Sequence, residues 1–469
     1  MRKTVSRLIL LGVAATLLLL AQPVSSQDNI PIADLGPSDG EGQPYEVNNQ
    51  GQVVGSHEPL AIGDAHFLWS AEDGWVDLPK RGFRYAYVNE LSQVTTSVYI
   101  GGDSQKPIPI LWDGGEETTL GHLGTENALP RDINEKGEVA GYGRTANGEV
   151  HAFLWTPVGG MQDLGTLGGH TSNAVAMNDS PWVVGDSLTA DLDNHAFMWT
   201  AAADGMRDLG TLGGDSSWVY DVNTLGQVVG CSSTTAGDDH AFLWTAESGM
   251  IDLGTLGGSY SAAFDISESG QVVGWSDTSG EEKHAFLWTA GDGMQDLGAL
   301  SGGESRASRV SRSGQVIGYS YLATGEKRAF FWTLASGMVD LGTLPGGRKS
   351  DAVDINDHGQ VVGWSNTPTG DRHAVLWTVS PQRQMMDMIG EIEGLVDDGL
   401  LKTGKANALV GKLENAIRLL DDGKTSPTCH QLEAFVNQVD AFTKTGQLPE
   451  ETGLLLLDAA DSVIGLICE

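Results

Sequence analysis

Basic residues are scarce in this chain. Lys and Arg number 27 against 62 Asp and Glu, for a formal net charge of −35. So acidic a protein repels nucleic acid and anionic membrane surfaces, and neither is an expected partner. The acidity serves solubility first and leaves at most a loose attraction for calcium. Cysteine is nearly absent, with Cys231, Cys429 and Cys468 alone, and no Cys-x-x-Cys pair occurs. Gly-x-Ser-x-Gly, His-Glu-x-x-His and phosphate-loop motifs are also missing, so no cofactor is expected and no catalytic residue stands out. Beyond residue 26 no apolar run is long enough to cross a membrane.

The N-terminus is what remains apolar. Arg2, Lys3 and Arg7 precede a run from Leu8 to Ala21, and Val24-Ser25-Ser26 supplies small residues before Gln27. This is the pattern of a secretory signal peptide over residues 1–26. No cysteine follows it to carry a lipid. The leader holds three basic and no acidic residues, so the mature chain would stand at −38. A secreted chain, extracellular or periplasmic, permits disulfides. Cys429 and Cys468 are the natural pair, which leaves Cys231 as an odd thiol.

The chain is rich in one repeated unit. Trp69, Trp112, Trp155, Trp199, Trp244, Trp288, Trp332 and Trp377 recur every 43 to 45 residues. One clean unit runs Asp252-Leu-Gly-Thr-Leu-Gly-Gly258, Ala263-Phe-Asp-Ile266, Gln271-Val-Val-Gly-Trp275, His284-Ala-Phe-Leu-Trp-Thr289. Each apolar piece is short, β-branched or aromatic, and bounded by Gly, Asn, Asp or Ser, which marks strands. Asn-x-x-Gly turns such as Asn48 to Gly51 and Asn356 to Gly359 would close tight hairpins. Four strands per unit and eight units describe an all-β fold, an eight-bladed β-propeller over residues 27–379. Pro31-Ile-Ala-Asp-Leu35 supplies the outer strand that the last unit lacks, with Met386-Asp387-Met388 as a rival. The second unit is irregular: Ser92 takes the glycine place and Ile108-Pro109-Ile110 replaces His-Ala-Phe. If it forms no blade, the count is seven.

These phrases resemble the HAF repeat of bacterial extracellular proteins. His151-Ala152-Phe153, His195-Ala196-Phe197, His240-Ala241-Phe242 and His284-Ala285-Phe286 carry the resemblance, with Asp-Leu-Gly-Thr-Leu-Gly-Gly. It implies secretion and no particular activity.

After residue 380 the apolar period changes from 2 to 3.6, which predicts a small all-α domain over 380–469. Ala406, Leu409, Val410, Leu413, Ala416, Ile417 and Leu420 form one stripe. Ser426-Pro427 opens a second helix as N-cap and first-turn proline, with Leu432, Phe435, Val436, Val439 and Phe442 inward. A last helix after Pro449 buries Leu454, Leu457, Ile464 and Leu466. An antiparallel helix pair would bring Cys429 and Cys468 together. Met388 to Cys468 resembles the FIMAH domain, through Asn407-Ala-Leu-Val-Gly-Lys-Leu-Glu-Asn-Ala-Ile417 and Gln431-Leu-Glu-Ala-Phe-Val-Asn-Gln-Val439. The resemblance implies an accessory module of an exported protein.

Three columns of the repeat are candidate sites. His151, His195, His240, His284 and His373 look like a metal ring. They open the third strand, too far from the axis for one ion, so structural hydrogen bonds are the better reading and no metal is assigned. Two residues before each turn stand Glu46, Tyr87, Asp132, Ala176, Asp221, Asp265, Arg309 and Asp354. The five carboxylates are either an acidic channel or residues that fix each turn, and their parallel with the histidines favours a structural network. Five residues before each turn stand Gln43, Arg84, Leu129, Asn173, Trp218, Ala262, Arg306 and Asp351. This variation marks a binding face on which Arg84, Asn173, Trp218, Tyr260, Arg306 and Asp351 would contact a ligand; solvent-exposed drift is the plainer alternative. The acidic pairs Asp191/Asp193, Asp238/Asp239 and Glu281/Glu282 lack the form of a calcium loop. The expected function is non-catalytic recognition of an extracellular protein or glycan through one propeller face. The alternative is a propeller hydrolase or lyase acting on polysaccharide, and a third reading is a purely structural surface protein.

Overall fold

The computed structural model describes residues 30–36, 41–57, 64–99, 106–202 and 205–468, without the side chains of 64, 79–84 and 99. The leader and the side chain of Arg84 lie outside the described residues. The chain is mostly β and propeller-like, followed by four helices.

The unit read above folds as four antiparallel strands, Gly257–Ile266, Val272–Thr278, Lys283–Thr289 and Gly293–Asp296, paired in sequence order. The same order recurs along the chain. In the irregular second unit, one 15-residue strand, Gly74–Val88, serves first as an outer and then as an inner strand. Pro107–Asp113 and Glu116–Thr119 complete that pairing. Ile32–Gly36 pairs with Arg372–Thr378, with Ile32 opposite Trp377. The N-terminal strand thus takes the outer place in the last unit, while Met386–Met388 lies in a helix.

Packing explains the repeated phrase. Phe67, Phe153, Phe197, Phe242, Phe286 and Phe330 are all fully buried. Each sits between neighbouring units: Phe242 and Trp244 pack on Ala196, Met198 and Leu209 of the unit before. Burying one such ring contributes about 1.5–3 kcal/mol. The glycine of Val-Val-Gly is needed beneath it. A Cβ on Gly230 would collide with the Trp218 carbonyl and press on the Phe242 ring. Val47, Val53 and Phe67 from the first unit join Val362, Ala374 and Leu376 from the last, together with Leu35 of the N-terminal strand, in one cluster.

The turns are bonded as the sequence suggests. Asn356 Oδ1 accepts from the backbone N–H of His358 (3.1 Å) and Gln360 (3.0 Å). Gly359 takes the left-handed φ of 71° that this turn requires. What the sequence does not announce is that the same amide reaches the neighbouring unit. Asn48 donates to the Asn89 carbonyl, Asn89 to Asn134, Asn134 to Asn178, Asn178 to Asn223 and Asn223 to Ser267. Asn356 donates back to Asn48 at 2.9 Å.

The helices are α1 (Pro381–Asp397), α2 (Thr403–Asp421), α3 (Thr425–Lys444) and α4 (Glu450–Cys468). Their shared core holds Met385, Ile392, Leu409, Leu413, Leu432, Phe435, Val439 and Leu456. Cys429 and Cys468 form a disulfide and Cys231 is free and buried. Two expectations are corrected. Ser426 is not the N-cap: α3 starts at Thr425 after Lys424, and Pro427 sits inside the first turn, where no N–H is required. In α4 the buried stripe is Leu456, Ala459, Ala460 and Val463, whereas Leu454 is exposed and Leu457 and Ile464 are half-buried. The helices dock on the turn side of the strands. Gln384 Nε2 donates to the carbonyls of His358 (3.0 Å) and Val379 (3.1 Å), and Ser462 Oγ donates to Gln384 Oε1 (2.9 Å).

Candidate binding face and inner channel

Each inner strand runs from a varied start, such as Arg306 or Asp351, to an Asn or Ser turn. Its start and its middle therefore face different chemistry.

In the middle lies a channel cavity of about 580 Å³, lined by Glu46, Asp132, Asp221, Asp265, Asp354 and Arg309 among others. Every one of the five carboxylates accepts a backbone N–H from the next unit. Glu46 takes Val88 (2.7 Å), Asp132 takes Met177 (2.7 Å) and Asp221 takes Ile266 (3.1 Å). Asp265 takes Val310 (2.7 Å), and Asp354 takes Val47 (2.9 Å). The expected structural network exists, but it ties one unit to the next rather than each turn to itself. Burial pushes all five carboxyls up, Asp132 to about 7 and Asp221 to about 8, with neighbouring carboxylates adding to the rise at Asp221 and Glu46. Among its neighbours, Asp265 adds most to the rise at Asp221.

Arg309 enters this ring, 3.6 Å from Asp354 and 3.9 Å from Asp265. Burial works against its charge, and the carboxylates outweigh it. Arg309 keeps 45% of its side chain open to the channel against 13–14% for its partners. Channel solvent therefore screens its pull, and the deeper carboxyls stay high.

The histidines do not join this ring. His151 Nδ1 bonds Asp163 (2.9 Å), His195 bonds Asp208 (2.9 Å), and His240 and His284 bond Asp252 and Asp296. His373 bonds Asp34 of the N-terminal strand at 3.0 Å, and Arg328, standing where others have His, bonds Asp340 at 3.2 Å. The expected link to the inner carboxylates is corrected: third and outer strands are neighbours, while the inner strand is two strands away. Among the described residues no group of three or more His, Cys, Asp or Glu is placed to hold a metal ion.

At the strand starts lies a second cavity, of about 700 Å³, lined by Gln43, Tyr45, Tyr85, Tyr87, Arg131, Arg309 and Arg372. The Arg131 guanidinium lies 5.4 Å from the Tyr85 ring centre. Asn173 lines a cleft of about 460 Å³ beside Arg131 and Tyr142. Asp351 lines one of about 380 Å³ with Lys327, Lys349, Trp364 and Arg372. Arg306 lies 5.0 Å over Trp275. Trp218 is half-buried and Tyr260 is 43% exposed, and neither lines these three cavities. The sequence reading missed Tyr45, Tyr85, Arg131, Lys327, Trp364 and Arg372. Two further columns carry part of that signal. The residue after Val-Val-Gly varies through Ser56, Tyr142, Asp186, Cys231, Trp275, Tyr319 and Trp364. The residue opening the third strand varies through Lys283, Lys327 and Arg372.

Residues 386–465 match the FIMAH domain family. No curated protein matches the chain by sequence. Among solved structures it is similar to the β-propeller domain of the Trilobed protease from Pyrococcus furiosus. Identity there is 9% and the TM-score 0.41, covering 72% of this chain and 95% of that one. It is also similar to the Pyrococcus horikoshii acylaminoacyl peptidase, at 11% identity and TM-score 0.42, covering 70% and 58%. TolB from Acinetobacter baumannii follows at 9% and 0.32, covering 70% and 80%. These likenesses concern the fold alone. No helix among the described residues is long and apolar enough to cross a membrane.

Proposed function

We propose that this is an exported recognition protein: a closed, eight-bladed propeller of HAF-type repeats that binds a protein or glycan partner through the face where its inner strands begin. One observation carries the reading. Positions that hold the units together repeat, while those around the 700 Å³ cavity differ from unit to unit and gather rings and cations. Closure is supported by the pairing of Ile32–Gly36 with Arg372–Thr378 and by the Asn356–Asn48 bond. The helical tail, docked on the opposite side, would serve as a second interaction module. A disulfide suits an exported chain.

The test is a screen of the full-length protein against glycans and cell-envelope fractions, beside a Tyr85→Ala/Arg131→Ala variant. Partner binding lost in the variant at unchanged melting temperature supports the reading. Binding that the variant retains places recognition elsewhere and sinks it.

A second reading rests on the neighbouring carboxyls of Asp221 and Asp265 in one cavity, the kind of paired carboxyls a polysaccharide hydrolase or lyase needs. Against it, each carboxylate already spends an oxygen on a neighbouring backbone. Release of reducing sugar that Asp221→Asn abolishes would promote it.

A further inference from the structure

Cations and aromatic rings alternate in one continuous row across the last three repeat units. Lys283 Nζ lies 5.1 Å from the Trp275 ring centre, and the Arg306 guanidinium covers the same ring at 5.0 Å. Arg306 stands opposite Tyr319 in the strand register. Lys327 Nζ is 3.6 Å from the Tyr319 ring and 5.9 Å from that of Trp364, which Arg372 covers from 4.3 Å. Four cations thus meet three rings, with two carboxylates among them: Asp277 lies 3.3 Å from Lys283, and Asp351 is 2.5 Å from Lys327. The row carries a local positive excess in a chain of net charge −35. Arg306 Nε is buried and has no hydrogen-bond partner among the described residues.

Resting on the recognition reading above, we propose that this row binds an acidic oligosaccharide whose charge is carboxylate borne on sugar rings, a uronic acid oligomer. The cations take the carboxylates, and ring edges and faces between them take the apolar C–H surface of the sugars. The cleft beside Asp351, Trp364 and Arg372, about 380 Å³, is of small-ligand size. Two physical facts narrow the class. The strands that carry Tyr319, Lys327, Trp364 and Arg372 are paired on both sides, so no backbone edge is free for an extended acidic peptide. The acidic remainder of the protein repels dense polyanions, so one carboxylate per sugar suits the field better than a heavily sulfated chain.

The test titrates the full-length protein with a uronic acid hexamer, its carboxyl-reduced counterpart, a sulfated oligosaccharide and an oligoglutamate. Arg372→Gln, at an exposed position, and Lys327→Gln serve as variants, with melting temperature as control. The expected result is binding to the uronate, weakened about tenfold by either carboxyl reduction or Arg372→Gln, and reduced by salt. Tighter binding to the neutral, sulfated or peptide probe, lost in Arg372→Gln, overturns the uronate assignment and leaves the recognition face standing. Uronate binding indifferent to both variants, or no binding of any probe, overturns the role of the row. The envelope screen with Tyr85→Ala/Arg131→Ala then decides the broader reading separately.

Discussion

The side-chain amide of Asn356 donates to the backbone carbonyl of Asn48, 308 positions away, at 2.9 Å. The bond joins the last unit to the first with the contact that joins Asn48 to Asn89 and Asn89 to Asn134. Asn356→Ala removes this donor and also the acceptor that caps its own turn. The loss should cost about 1–3 kcal/mol, because buried partners on both sides are left unpaired. Urea unfolding measures it, and a wild-type midpoint would show that the junction is held elsewhere.

Two units lack this device. Ser267 and Ser311 stand at the asparagine position, and the Gln271 and Gln315 Oε1 atoms four residues on are buried without a partner among the described residues. In the four Asn units that carry this glutamine, those of Asn48, Asn89, Asn223 and Asn356, the amide satisfies it, as Asn356 does Gln360 at 2.7 Å. Ser267→Asn and Ser311→Asn should therefore each stabilise by about 1 kcal/mol, the net worth of a typical hydrogen bond. A lowered melting temperature would show that the serine turns have no room for the amide.

The inner carboxyls make stability depend on pH. Their folded pKa values are raised, so between about pH 4 and 8 the folded chain holds more protons than the unfolded one. Their stabilising share is complete below about pH 4 and is lost as pH rises through 7 to 8. The melting temperature should fall by a few degrees from pH 5 to pH 8.5. In Asp221→Asn the side-chain carbonyl can still accept from Ile266 while one titrating carboxyl is gone, so the slope should flatten. A melting temperature that rises across this interval would contradict the account.

Reducing the Cys429–Cys468 bond opens a loop with sequence separation 39. The tail should lose about 3–4 kcal/mol, since the bond chiefly restricts the unfolded chain. Far-ultraviolet circular dichroism should show the helical melt moving down while the strand melt stays. Coincident shifts would mean that the docked helices and the strands unfold together.

The repeat unit was legible because packing fixes its letters: the phenylalanine is buried between units, and Gly230 has no room for a side chain beneath it. The bonds between units were not, because Asn134 meets Asn178, and Asp132 meets Met177, only once the fold brings them together. Helix α4 was misphased because Leu454 to Leu457 are four consecutive leucines, which suit any face. At the candidate face Arg306 and Asp351 were legible as variable positions of the inner strand. Lys327, Trp364 and Arg372 were not, because they sit on second and third strands whose neighbouring letters are fixed by folding.

Hydrogen exchange of the full-length protein, with and without the envelope fraction that binds it, tests the recognition face most directly. The account predicts slowed exchange in Gly42–Val47, Gly124–Ile133, Ser305–Val310, Lys327–Thr333, Ser350–Ile355 and Arg372–Thr378, with the turn side and α2–α3 unchanged. Protection confined to the helices, with those strands unaffected, would contradict it.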